Sequence, residues 1–344
     1  MNSIQSVLIT GANAGLGREC ARQLALQDSV QKIYLACRNE AKALAAKASL
    51  EAETGRSIFE IVLMDVMDLD SIHNAVAALD STIDAVVLNA GGSGGRTPNA
   101  LTPNGVTHLF AANVLGHAAF VDELLKRQLL TSVVLYSGSE AARGIPKMGV
   151  ARPELQTSSV DEFASIADGS KFGADGDPLV EYGSVKLIGA LWMASMARQY
   201  PHLRFVTMSP GGTTGTNGMD DLPLVKKILF KYIGGTLMPL FGMMHGVDVG
   251  AKRYVDALMD PKFESGRFYA SKGGSPTGPV VDQATLFTDL GNHSFQNNAN
   301  QAIHRFLQTQ QDRPQTTGDR TMNGDIRIGL GNTPIGFESA REVA

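Results

Sequence analysis

Between residue 6 and about residue 210, short β-rich runs alternate with segments of helical period. That alternation narrows the fold to a parallel sheet whose strands are joined by crossover helices. Strands are expected at 7–10, 32–36, 58–64, 85–89, 133–137 and 204–209, with 267–270 as a last one. Helices are expected at 16–27, 40–53, 71–79, 105–127 and 182–200, with Asn39 placed to cap the second and Gly55 to end it. The class is therefore α/β: a single doubly wound parallel sheet of about seven strands with helices on both faces. The Gly-, Pro-, Asp- and Ser-rich stretch 140–181 is too long for an ordinary connection and reads as an insertion folded beside the site. One domain over 1–310 and a polar, Gly-rich tail over 311–344 complete the expected organisation.

Composition excludes several functions. A formal charge of −4 with no lysine- or arginine-rich block offers nothing general to nucleic acid or anionic lipid. Two cysteines, Cys20 and Cys37, are too few for a disulfide framework and fall in apolar periodic segments, which fits a reducing compartment. The start of the chain lacks the charged and apolar regions of a signal peptide, so the cytoplasm is expected. The seven histidines show no metal-ligand spacing, and no metal is expected.

Directly after the first strand, Thr10-Gly11-Ala12-Asn13-Ala14-Gly15-Leu16-Gly17 opens the first helix. A turn short of Cβ atoms at the positive end of a helix lets a pyrophosphate approach backbone N–H groups, so a Rossmann-like dinucleotide site is expected here. At the end of the second strand, Ala36-Cys37-Arg38-Asn39 has no acid to bind a free ribose 2′-hydroxyl but offers the Arg38 guanidinium to a 2′-phosphate. An exposed strand-end arginine is the rival reading, and the missing acid favours NADP(H). Arg18 offers a second positive charge but as a first-turn residue more commonly points to solvent.

Tyr182 and Lys186 stand four apart at the start of a helix-period segment and share one face. A phenol titrates near 10, so its use in acid–base chemistry near neutrality requires about 4 kcal/mol of anion stabilisation, which positive charge from Lys186 and an oxidised nicotinamide would supply.

The spacing of Gly11, Gly15 and Gly17, with Tyr182 and Lys186 behind it, resembles the short-chain dehydrogenase/reductase family over most of residues 6–275. The resemblance implies that Asn13, Ala14, Leu16 and the three glycines line the phosphates, and that Asp65 and Val66 contact adenine. It also puts Asn89, Ala90 and Gly91 beneath the adenine-side ribose. A strand-end turn role for Asp65 is an equal alternative. The family's catalytic serine corresponds to Ser139, with Ser137 competing. Asn113 matches the asparagine that seats a relay water, with a buried hydrogen-bonding role as the alternative. Pro210, Gly211 and Thr213 correspond to the turn at the nicotinamide carboxamide, and Tyr182 and Lys186 also touch the cofactor. Gly215 replaces a usual threonine, which leaves Thr214 or Thr216 for the phosphates.

Within the family, Ala36-Cys37-Arg38 and Asn113-Val114-Leu115-Gly116-His117 look like the branch of retinol dehydrogenases and light-dependent protochlorophyllide reductases. The long interval from Ser139 to Tyr182 leans to the second, whereas the absence of a substrate-pocket cysteine leans away. Hydride transfer between NADP(H) and a carbonyl or alcohol of an apolar small molecule is expected, with C=C reduction and a non-catalytic NADP(H) sensor as alternatives. Residues 217–246, rich in methionine but broken by lysine, glycine and proline, read as a substrate lid rather than a membrane span, with core packing or a subunit contact equally open. A homo-oligomer is implied only by the resemblance.

Overall fold

The structure is a computed structural model that describes residues 3–173, 176–214 and 243–311. Most of 217–246 and all of 312–344, where the lid and tail are expected, lie outside the described residues.

Apolar residues alternate along the strands and sort the core into two layers. Val7 and Ile9 of β1 (Ser6–Thr10), with Ile33 and Leu35 of β2 (Lys32–Cys37), pack on α1 (Gly15–Ala25) and α2 (Glu40–Thr54). Leu8, Tyr34 and Ala36 face the opposite layer. That period of two, buried on both faces, is what a sheet covered by helices on each side requires.

β3 (Phe59–Leu63), α3 (Leu69–Ala77), β4 (Ile83–Leu88), β5 (Leu130–Ser137), β6 (Arg204–Met208) and β7 (Phe268–Ser271) complete the parallel part of the sheet and one of its crossovers. With β8 (Val280–Asp282) at the far edge, strand order is β3-β2-β1-β4-β5-β6-β7-β8. The order reverses between β1 and β4, which opens a crevice at their carboxyl ends, where open α/β sheets bind ligands.

A short eighth strand joins the expected sheet of about seven. β8 pairs antiparallel with β7. Its three residues are each half-buried and too few to register an alternation in the sequence.

The expected helix at 105–127 begins instead at His108, where the Thr107 side chain accepts the N–H of Phe110 at 3.1 Å. It runs as α4 (His108–Phe110), a π turn at Ala111–Leu115, and α5 (Gly116–Lys126). The insertion holds two short 3₁₀ turns and α6 (Val160–Ala167). The helix expected from Tyr182 starts earlier, as α7 (Pro178–Gln199), because Asp177 caps it and Pro178 suits its first position. α8 (Val247–Met259) packs on α1, and α9 (His293–Gln311) covers α7 and α6. Most of α7 is buried between the sheet and these neighbours, which makes it a rigid platform.

Candidate active site

At the nucleotide end, Gly11 and Gly15 adopt left-handed φ of 66° and 55°, and a Cβ on Gly17 would lie 2.5 Å from the Gly11 carbonyl oxygen. The turn is closed to side chains where the backbone must fold tightly. α1 then begins at Gly15, after Ala14, with no side-chain cap and no acid in its first turn, so its positive end keeps anion-binding potential. The residues present fit a bound pyrophosphate. Arg38 is exposed at the end of β2, and no acid shares that strand end. Arg18 is committed elsewhere: its guanidinium donates to Ser49 Oγ at 2.7 Å and to Glu53 Oε1 at 2.5 Å.

The expected thiols are buried and unpaired. Burial pushes the Cys37 thiol up to about 11, against hydrogen bonds from the Ala12 and Asn13 backbone.

Asp65 forms a strand-end turn, accepting the Met67 N–H at 3.0 Å. Asn89 braces the crevice, its amide donating to the Thr10 carbonyl at 2.9 Å.

At the chemical end, Lys186 is 3% exposed and donates to the Ser137 carbonyl at 2.9 Å. Its Nζ lies 4.9 Å from the centre of the Tyr136 ring and 5.7 Å from that of Tyr182. Burial brings Lys186 down to about 7. Tyr182 is pushed up to about 12 by burial, opposed by a hydrogen bond with Ser139. Burial thus works against the lowering that the sequence reading assigns to Lys186 and an oxidised nicotinamide together.

The two serines are separated by where they point. The Ser137 hydroxyl pairs with the Tyr254 hydroxyl at 2.6 Å in the buried layer beneath α8, whereas Ser139, past the strand end, lies beside Tyr182.

Asn113 is fully buried in the π turn. Its Nδ2 donates to the carbonyls of Gly92 and Leu109, both at 2.8 Å, and its Oδ1 accepts from Gly92 N–H at 3.2 Å. The side chain thus has the buried hydrogen-bonding role left open above, holding the Gly91–Gly92 loop. Pro210 and Gly211 follow β6, and the Thr213 hydroxyl folds back to the Gly211 carbonyl at 3.1 Å.

Residues 5–143 match the family described as short chain dehydrogenase. Over that stretch the chain resembles the short-chain dehydrogenase/reductase family. It is 28% identical over 214 residues to a short chain dehydrogenase, rstn4, of Aspergillus nomiae, a match spanning 59% of this chain and 56% of that protein. To retinol dehydrogenase 12 of Mus musculus it is 33% identical over 124 residues, covering 35% of this chain and 38% of the other. The chain therefore spans less than two thirds of the length of either relative. Among solved structures, NADPH- and L-sorbose-bound L-sorbose reductase from Gluconobacter frateurii shares 16% identity at a TM-score of 0.57, covering 81% of this chain and 99% of that one. NADPH-bound carbonyl reductase from chicken fatty liver shares 18% at 0.51, covering 78% and 96%. Both of these likenesses concern the fold.

Three features of the site were not singled out from sequence. His117 is fully buried, with Nδ1 3.2 Å from the Asn113 carbonyl and Nε2 3.2 Å from the Thr10 hydroxyl. A carbonyl only accepts, so Nδ1 carries the proton and Nε2 is bare. Burial holds the ring neutral, its pKa down to about 3, with nearby Lys186 adding to the effect. Glu140 and Arg253, both buried, face each other beside Ser139 and the Pro210 turn. His245 is half-buried, its Nε2 2.8 Å from the Pro210 carbonyl. The position of Glu140 next to a candidate serine was the one available signal; the other partners arrive from distant segments. Among the described residues no helix is long and apolar enough to cross a membrane.

Proposed function

We propose that this protein is an NADP(H)-dependent oxidoreductase that interconverts a carbonyl and an alcohol on an apolar small molecule. The observation that carries the reading is the grouping of Ser139, Tyr182 and Lys186 at the carboxyl ends of the central strands, the same edge of the sheet at which the uncapped α1 begins. Exposed Arg38, with no acid at its strand end, supports NADP(H) over NAD(H). The NADPH-bound fold relatives and the retinol dehydrogenase similarity are compatible with it.

When bound, NADPH supplies the hydride. The chain's own groups manage the oxygen. The Ser139 hydroxyl holds the substrate oxygen against Tyr182, and as the carbonyl carbon gains hydride, the C=O π electrons move to that oxygen, which takes the Tyr182 proton. The phenolate left behind is steadied by Lys186, which is charged below a pH of about 7 and held under Tyr182 by the Ser137 carbonyl. His117 ties the start of α5 to the β1 end through Thr10, and Asn113 holds the Gly91–Gly92 loop.

NADPH and NADH consumption over a panel of aldehydes, ketones and enones tests this. NADPH-preferring turnover of aldehydes or ketones is expected, and Tyr182→Phe should lower kcat by about 10²- to 10⁴-fold while NADPH binding persists. Turnover of enones alone would move the reading to C=C reduction. Binding without any turnover would favour a sensor, and full activity in the variant would remove Tyr182 from its role.

A further inference from the structure

Glu140 follows Ser139 directly, yet its side chain turns into the interior, where it is 3% exposed. Each carboxylate oxygen has partners from separate segments. Oε1 accepts the Ser271 hydroxyl at 2.9 Å and the Ser271 N–H at 3.2 Å, both at the end of β7, and lies 3.6 Å from Arg253 Nη1 of α8. Oε2 accepts the Ser209 hydroxyl at the end of β6. The Ser209 hydroxyl oxygen in turn accepts the Gly211 N–H at 3.1 Å. One carboxylate thereby joins the serine loop to the Pro210–Gly211 turn through a single intervening hydroxyl.

Arg253 closes the arrangement from the other side. It is 8% exposed and donates to Ser271 Oγ at 3.1 Å, the Gly278 carbonyl at 3.1 Å and the Ser209 carbonyl at 3.4 Å. Gly211 sits against it at φ 81°, where a Cβ would come 2.8 Å from Arg253 Nη1 and 2.7 Å from His245 Cε1. The turn is therefore moulded on the guanidinium and not free to shift alone. A buried charge pair of this kind carries a desolvation cost that apolar packing would avoid, so its value lies in geometry more than in stability.

We infer that Glu140 and Arg253 are positioning residues that set the distance between the Ser139-bound substrate oxygen and the turn against which the nicotinamide rests. The inference deepens the oxidoreductase reading and rests on it. Neither residue touches the reacting atoms; both act through Ser139 and Gly211.

The test compares wild type, Glu140→Gln and Glu140→Ala for kcat, KM, the NADPH dissociation constant and the primary isotope effect with NADPH deuterated at the transferred hydride. Glu140→Gln keeps most of the reach but loses the charge. Displacement of the reacting groups by about 1 Å costs about 10²-fold, so kcat should fall toward that extent. KM and NADPH affinity should stay within about threefold, below the effect of one lost charged hydrogen bond, and the isotope effect should rise. Glu140→Ala should be slower still.

Should the single variants fail to fold because Arg253 is left unpaired, Glu140→Gln combined with Arg253→Gln removes both charges, and a lowered kcat with an enlarged isotope effect is again expected. Unchanged kcat in a folded variant, or a loss carried wholly by NADPH affinity or by the folded fraction, overturns the positioning role alone. A wild-type protein that turns over no substrate overturns the oxidoreductase reading and this inference with it.

Discussion

Arg38, proposed to select NADP(H), needs little local structure for that role. It is an exposed side chain at the end of β2, and its proposed value lies in matching a planar fork to a phosphate that NADH lacks. Arg38→Ala should weaken NADPH binding by about 10- to 100-fold, the size of a lost charge-assisted hydrogen bond, while leaving NADH nearly unaffected. Calorimetric titration of both nucleotides checks this, and equal loss for both would assign the 2′-phosphate to another group. Ser139 shows the opposite dependence. From sequence, Ser137 and Ser139 compete, because both close the same strand; only the packing of Tyr254 from α8 against Ser137 separates them. His117 and Arg253 were invisible for the same reason: each owes its importance to partners more than 40 residues away in the chain, such as Thr10 for one and Ser209 for the other.

Among the elements, α9 was the least legible. Its stretch from His293 to Gln311 is crowded with Asn and Gln, which promote helix poorly or neutrally, and its few apolar positions gain meaning only against α7. Ala299, Ala302 and Ile303 are nonetheless buried there. Ile303→Ala should lower the unfolding free energy by about 2 to 4 kcal/mol in urea denaturation, with kcat little changed, because the cavity opens on the face of α7 away from the chemistry. A cost near zero would mean that α9 is not held to α7 in solution. The strands and the first crossovers were legible by contrast, since apolar alternation and turn residues are local properties. The π turn was not, because an extra residue in one turn of a helix leaves the apolar pattern nearly intact while rotating Asn113 toward Gly92.

For the whole molecule, burying Lys186 links stability to pH. Its pKa falls from 10.5 unfolded to about 7 folded, so between those values the unfolded chain binds a proton that the folded protein does not. Stability contributed by this group therefore increases with pH across that window, by at most about 1.4 kcal/mol per unit, and is lost as pH falls toward 7. Urea unfolding of the cofactor-free protein at pH 7.5 to 9.5, about the middle of that window, should show a gradient that Lys186→Met reduces; an identical gradient in the variant would count against the buried lysine. Tyr182 does not enter this range, because it is protonated in both states below 10. By itself the sequence determined the α/β class, the glycine turn and the four-residue spacing of Tyr182 and Lys186, because alternation, turn chemistry and helical period act over a few neighbouring residues. Tertiary structure alone decided the strand order that opens the crevice beside Thr10, the placement of Ser139 beside Tyr182, the phenol's upward displacement and the Glu140–Arg253 pair. Those depend on which distant segments exclude water from a given side chain, and burial is a property of the assembled core.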